Sequence, residues 1–244
     1  MGKLQDKVAI ITGAASGIGK GILEVFVEEG AKAVFCDLNE EKGIEIQNNL
    51  RAQGYDVTFL KANVGKHEEI KNMVQFTVDT YGKLDILVNN AGIMYTVALD
   101  EITEEQIDNT YDVNLKGYFL AMKYAVQVMK EGSAIVNIAS AGGIVAGYLS
   151  TAYGSSKAGV IHLSRVAARE MAPKGIRVNS ISPGTFITGM MPAEAEYTKA
   201  CAAACPMGRC GDPKELGRAA AFLASDEASY IAGINLVVDG ATIA

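Results

Sequence analysis

Thr12-Gly13-Ala14-Ala15-Ser16-Gly17-Ile18-Gly19 separates two segments of different periodicity. Before it stands a run of β-formers, Val8-Ala9-Ile10-Ile11. After it, from Ile18 to Glu29, apolar residues recur at helical spacing. A strand that enters a glycine turn and leaves as a helix gathers backbone N–H groups and the positive helix end at one point. That point suits a phosphate anion. Gly13, Gly17 and Gly19 permit the tight turn and let a pyrophosphate approach the backbone, and Ser16 and Ile18 lie within the same turn. The spacing is G-x-x-x-G-x-G rather than G-x-G-x-x-G. Glycine makes up 26 of 244 residues, so an ordinary glycine-rich turn is the competing reading.

The rest of the chain supports the first reading. Its 244 residues, 49% of them hydrophobic, suit one large α/β domain. A net charge of −6 with no long basic run argues against a nucleic-acid or anionic-membrane binder. The N-terminal residues lack the apolar core of a signal peptide, and the uncharged stretch 132–156 is too rich in Gly, Ser and Asn to span a bilayer. Cys201, Cys205 and Cys210 contain no C-x-x-C pair, and His67 and His162 fall on separate predicted helices. With Cys36 they read as small packing residues of a reducing cytoplasm, not as a metal site.

Glycines punctuate the chain at Gly30, Gly54, Gly82, Gly132 and Gly175, each between a polar helix end and a β-rich run. The strands expected after them are Ala33–Asp37, Val57–Lys61, Leu84–Asn89, Ala134–Ser140 and Ile176–Ser182, with a last strand at Ile234–Val238. Strict β-α alternation implies a doubly wound parallel sheet of about seven strands with helices on both faces. Thr103 and Gln106 form a capping box ahead of a long helix to Met129. Asp212-Pro213 opens another, to about Ala224. Gly184 to Gly211 has no clean periodicity, which marks a lid over residues 185–211.

Asp37 ends the second strand, where a dinucleotide fold places the carboxylate that accepts from the adenosine ribose hydroxyls. It would repel a 2′-phosphate. Neither Ser16 nor Leu38 supplies the cation that NADP would need, so the cofactor expected is NAD. Tyr153 and Lys157 lie four apart on the predicted helix Thr151–Met171 and share a face. A phenol with an ordinary pKa of about 10 needs a nearby cation to exchange protons at neutral pH. Tyr-x-x-x-Lys is common on amphipathic helices, but two companions add weight here. Ser140 ends a strand at the cofactor crevice, where its hydroxyl could hold a substrate oxygen. Asn114 stands inside a predicted helix, where Asn is a mediocre former, and its carbonyl or amide could hold a water behind Lys157.

Together these motifs resemble the short-chain dehydrogenase/reductase family over nearly the whole chain. They are Thr12-Gly-x-x-x-Gly-x-Gly19, Asn89-Asn90-Ala91-Gly92, Asn114, Ser140, Tyr153-x-x-x-Lys157, Pro183-Gly184 and Val238-Asp239-Gly240. The resemblance implies a Rossmann sheet in the order 3-2-1-4-5-6-7 and Tyr153 as general acid/base. Lys157 would then lower the phenol's pKa and bind the nicotinamide ribose beside Tyr153. Ser140 would orient the substrate and Asn114 serve a proton relay. Asn90, Gly92, Pro183 and Gly184 would line the cofactor, and Thr188 would hold its carboxamide. Asn63-Val64 stands where the family often has Asp-Val against the adenine. The family usually assembles as tetramers through the two long helices, which implies a homotetramer.

The 3-oxoacyl-carrier-protein reductases usually carry a basic residue in the glycine loop and Gly-Gln-x-Asn before the tyrosine. Here those places read Ser16 and Tyr148-Leu149-Ser150-Thr151-Ala152. Three segments should wall the substrate site: Ile93–Val97, Ala141–Tyr148 and the lid, offering Ile93, Met94, Tyr95, Ile144, Val145, Tyr148, Phe186, Met190 and Met191. They hold no Arg or Lys before Lys199, so nothing would pair a substrate anion. A neutral, mostly apolar secondary alcohol and its ketone are expected, hydroxysteroid or cyclic alcohol first. The alternatives are a 3-oxoacyl-carrier-protein reductase and an NAD-binding regulatory protein without catalysis.

Overall fold

The computed structural model describes residues 2–189, 191 and 193–244. Seven parallel strands run in the order β3-β2-β1-β4-β5-β6-β7. They are β1 (Val8–Thr12), β2 (Lys32–Asp37), β3 (Val57–Lys61), β4 (Ile86–Asn89), β5 (Ala134–Ile138), β6 (Arg177–Pro183) and β7 (Asn235–Val238). The strand order reverses between β1 and β4, and at such a point the connections after the two strands diverge and leave a crevice.

Alternation along the central strands builds two cores. Ala9, Ile11, Phe35, Val88 and Val136 pack under α1 (Gly17–Glu28), α2 (Glu40–Ala52) and α8 (Pro213–Ala224). Ile10, Val34, Cys36, Leu87 and Ile135 point the other way, under α3 (His67–Tyr81), α5 (Gly117–Val128) and α6 (Thr151–Met171). Both faces of the sheet are therefore covered, which is why its strands read as continuous apolar runs. Gly30, Gly54, Gly82, Gly132 and Gly175 all have positive φ, as expected of glycines closing helices and turns.

Four sequence-based boundaries are corrected. The strand expected from Leu84 begins at Ile86, because the Asp85 carboxylate accepts from Val8 N (2.7 Å) and serves as a side-chain bridge there. The strand expected to reach Ser140 stops at Ile138, and Ser140 instead accepts from Gly142 N (3.1 Å) and turns the chain. The single helix expected from Thr103 to Met129 is α4 (Glu104–Tyr111), a π-helical turn at Asp112–Lys116, and α5. The Thr103/Gln106 capping box is present. The lid holds a helix of its own, α7 (Glu196–Ala204), whose short alanine-rich sequence carries little periodic signal. Among the described residues no helix is long and apolar enough to cross a membrane.

Candidate active site

The glycine turn is locked to the end of β4. Thr12 Oγ1 accepts from Asn90 N (2.9 Å) and Ala91 N (3.0 Å), while Asn90 Nδ2 donates to Thr12 O (2.9 Å) and Gly13 O (3.1 Å). Gly19 has no room for a side chain, since a Cβ there would lie 2.2 Å from Gly13 O. Ser16 caps α1 with extended backbone, and its exposed hydroxyl makes no capping bond. A helix N-terminus, an uncommitted hydroxyl and a cradle that Cβ atoms would fill suit a pyrophosphate. Asp37, at the end of β2, faces this loop: its carboxylate accepts from Ala15 N and Asn39 N (both 3.0 Å) and has further lone pairs for ribose hydroxyls.

Other expected cofactor residues lie around the same crevice. Asn63 turns the chain after β3 by accepting from Gly65 N (2.8 Å). The Val64 side chain is buried in the core, so only its backbone can face the crevice. Pro183 ends β6 paired with Val238, and Gly184 packs against Asp239, where a Cβ would come within 2.7 Å. Thr188 lies over the glycine turn, with its methyl 3.2 Å from where a Gly17 Cβ would be. The start of the lid thus covers the phosphate cradle.

Helix α6 brings the reacting groups to the end of β5. Tyr153 is half-buried, and a Cβ on Gly142 would lie 3.4 Å from Ser140 Oγ and 3.9 Å from Tyr153 Cε1, so hydroxyl and ring flank one glycine. Lys157 is 3% exposed. Its Nζ donates to Ile138 O (2.8 Å) and Tyr118 Oη (3.2 Å) and stands 5.9 Å from the Tyr153 ring centroid. Gly92 lies alongside: a Cβ there would meet Asn114 Oδ1 at 3.4 Å and Lys157 Nζ at 3.5 Å.

Burial acts on both groups of the pair. Burial pushes the Tyr153 phenol above its ordinary value of 10, and the Ser140 hydroxyl pulls it partly back. Burial also pulls Lys157 down from 10.5 to about 7. Burial thus pushes both groups toward their neutral forms.

Asn114 sits in the π-helical turn, fully buried. Its Oδ1 accepts from Ile93 N (2.8 Å) and keeps a second lone pair, while Nδ2 donates both hydrogens, to Ile93 O (2.9 Å) and Ser156 Oγ (3.2 Å). Ser156 Oγ in turn donates to Tyr153 O (2.7 Å). Tyr118 and Ser156 were not singled out in the sequence, although Tyr118 stands four residues after Asn114 and Ser156 directly before Lys157. Equally silent were Asn137 and Ser164, whose buried bonds (Asn89 Nδ2 to Asn137 Oδ1, 2.8 Å; Asn137 Nδ2 to Ser164 Oγ, 2.9 Å) tie β4, β5 and α6 together.

The expected substrate walls are partly met. Met94, Ile144 and Val145 are exposed, Ile93, Tyr95 and Met191 are half-buried, and Val97 N donates to Leu149 O (3.1 Å), joining two walls. Tyr148 is 90% exposed and packs on little. Phe186 is a correction: it is buried in the core against Gly211, because the lid turns inward at its start, and it does not face the cleft. Met190 lies outside the described residues. Two cavities flank the lid, of about 410 Å³ beside Phe186, Met207 and Asp239 and about 390 Å³ beside Ile187, Thr198 and Cys210. Neither includes Ser140, Tyr153 or Lys157.

A family model described as enoyl-(acyl carrier protein) reductase matches residues 13–241. The cyclohexanol dehydrogenase of Acinetobacter sp. is 40% identical over 98% of this chain and 96% of its own length. The 3-oxoacyl-[acyl-carrier-protein] reductase of Thermotoga maritima is 38% identical over 99% of each chain. A short-chain dehydrogenase from Burkholderia cenocepacia, solved in complex with NADP, superposes with a TM-score of 0.96 at 30% identity, over 99% of this chain and 100% of that one. With likeness of sequence and fold running end to end, the chain belongs to the short-chain dehydrogenase/reductase family and is an oxidoreductase acting on CH–OH groups.

Proposed function

We propose that this protein oxidises a neutral, mostly apolar secondary alcohol, or reduces its ketone, with NAD(H) and with Tyr153 as general acid/base. The nicotinamide, when bound, supplies the hydride acceptor or donor and, oxidised, a positive charge beside the phenol. Ser140 holds the substrate oxygen next to the Tyr153 hydroxyl, which takes or gives its proton. Lys157 reaches the nicotinamide ribose with the donor not committed to Ile138 and Tyr118. Asn114 serves the proton relay behind Lys157, and its side chain also holds both backbone groups of Ile93. Gly13, Ser16, Gly17, Ile18 and Gly19 hold the pyrophosphate, Asp37 the adenosine ribose, Asn63 and Val64 the adenine side. Asn90, Gly92, Pro183, Gly184 and Thr188 hold the nicotinamide half.

The observation that carries the substrate class is a cleft with exposed Met94, Ile144 and Val145 in segments that contain no Arg or Lys. Burying an unpaired substrate anion there would be costly. Cyclic alcohols and hydroxysteroids therefore come first. The choice of NAD rests on Asp37, which faces the loop with no cation at position 16 or 38. The likeness to a 3-oxoacyl-carrier-protein reductase supports the second reading. The test is NADH absorbance with cyclic alcohols, steroid alcohols, sugars and an acetoacetyl thioester side by side. Faster turnover of the thioester or of a phosphorylated sugar than of every apolar alcohol overturns the first reading.

The same reading includes a homotetramer built on α4–α5 and α6. Phe119 on α5 is 55% exposed, and Ile107 and Val166 are also exposed. Four free thiols fit a cytoplasmic setting.

A further inference from the structure

Lys157 is held from behind by a group that the catalytic reading does not use. Tyr118, on α5, is 1% exposed, and its Oη donates to Ile138 O (3.2 Å) while accepting from Lys157 Nζ (3.2 Å). Its ring also faces the ammonium, 5.0 Å from Nζ to the centroid. The main-chain carbonyl of Ile138 completes a triangle by accepting from Lys157 Nζ (2.8 Å). We propose that Tyr118 is a positioning residue for the reaction: it fixes the Lys157 ammonium toward Tyr153 and favours its charged form by giving it an acceptor and an aromatic face. The proposal rests on the acid/base reading of Tyr153 and Lys157.

The physical case has three parts. An ammonium taken out of water keeps its proton only where its hydrogens find acceptors. Burial here draws Lys157 down to about 7, so the two acceptors it has are the groups that oppose further loss. Second, Tyr118 stays a neutral phenol, because burial and then the proximity of Tyr153 raise it well above 10. With its proton committed to Ile138 O, a lone pair remains for the lysine at every working pH. Third, the contact is fixed by packing. Tyr118 lies in a small core with Ala139, Val160 and Ile161, so the phenol cannot swing away from α6 as an exposed partner could.

Removing the hydroxyl has a signed consequence. Without it the ammonium is poorer by one acceptor and gives up its proton at lower pH. Tyr153 then loses part of its neighbouring positive charge around neutral pH, where the Lys157 ammonium is still populated, and its phenolate is harder to form there. Alcohol oxidation, which needs the phenolate, should shift to higher pH.

Tyr118→Phe tests this in the full chain, because it keeps the ring's packing and leaves Ile138 O bonded to Lys157. We expect the rising limb of kcat for alcohol oxidation to move alkaline by about one pH unit, with kcat at neutral pH down about tenfold. NADH titration and melting should change little. A merely structural Tyr118 would lower melting and active fraction without moving the limb. In a Lys157→Met background, Tyr118→Phe should no longer shift it, since the coupling passes through the lysine. An unchanged midpoint in Tyr118→Phe, or an equal shift in the Lys157→Met background, overturns the proposal. Tyr153→Phe separates the two readings. If it still turns over, the acid/base assignment itself fails. If it is inactive while Tyr118→Phe keeps the wild-type midpoint, only the positioning role fails.

Discussion

Tyr153 carries the sharpest expectation at the scale of single residues. Tyr153→Phe keeps the ring and removes the proton, so turnover should fall at least about a hundredfold. NADH titration should survive, because the cradle of Gly13 to Gly19 is untouched. Loss of cofactor binding along with activity would mean the residue is structural. The pH dependence follows from the same group. Burial holds the phenol above 10, against the pull of Ser140, so alcohol oxidation should climb through the alkaline range while ketone reduction, which needs the phenol, declines over it. Opposite-sloping kcat profiles in the two directions would bear this out, and profiles that ignore pH above neutrality would not. Asp37 is the second residue with a clear consequence. Its carboxylate faces the glycine turn through Ala15 N, where a 2′-phosphate would meet like charge. NAD(H) should surpass NADP(H) in kcat/KM, and Asp37→Ser should narrow the gap. Equal kcat/KM for both cofactors in the unmodified protein would remove the argument.

Among the elements, the interrupted helix α4–α5 is the most informative. Its π-helical turn at Asp112–Lys116 carries Asn114 in the middle, and Gly117 follows where a Cβ would lie 2.5 Å from Val64 O. Such a turn breaks the regular ladder and marks functional positions more often than ordinary helix does. Here it presents the Asn114 amide to both backbone groups of Ile93. Asn114→Leu fills the space but leaves Ile93 N and O without partners, which should cost about 2–4 kcal/mol. Melting should drop by about 5–10 °C, and kcat should fall because Ile93 and Gly92 lose their seat beside Lys157. A variant that melts like the unmodified chain would show that the clamp is dispensable. Arg177 plays a comparable part elsewhere, donating to Leu223 O (2.6 Å) and Ser225 O (2.9 Å) at the carboxyl end of α8. A buried cation there answers both the open carbonyls and the negative helix end.

For the whole molecule, the outer face of α5 and α6 sets the expectation. Phe119 and Val166 are large apolar groups left to solvent, and Ala158 is small enough to let another helix approach. Light scattering at working concentration should return the mass of a tetramer, and Phe119→Glu should shift it toward smaller species. A stable monomer in the unmodified chain would refute the assembly.

Much of this architecture was legible in the order of residues because its signals are local. A strand, a glycine turn and a helix are contiguous in 8–28, and the five glycines closing helices and turns need only their own φ. The α6 boundaries, Thr151–Met171, and the pairing of Tyr153 with Lys157 follow from helical spacing alone. What only the tertiary structure decided is how groups far apart in the chain meet. Lys157 finds its partners in Ile138 and Tyr118, 19 and 39 residues away, and Asn114 reaches Ile93 across 21. No periodicity announces such contacts, because they are set by the packing of α5 and α6 over β5. Burial acts the same way on the charges. Spacing placed a lysine beside a phenol, but the desolvation that raises Tyr153 and lowers Lys157 exists only once the sheet and both helices have closed around them.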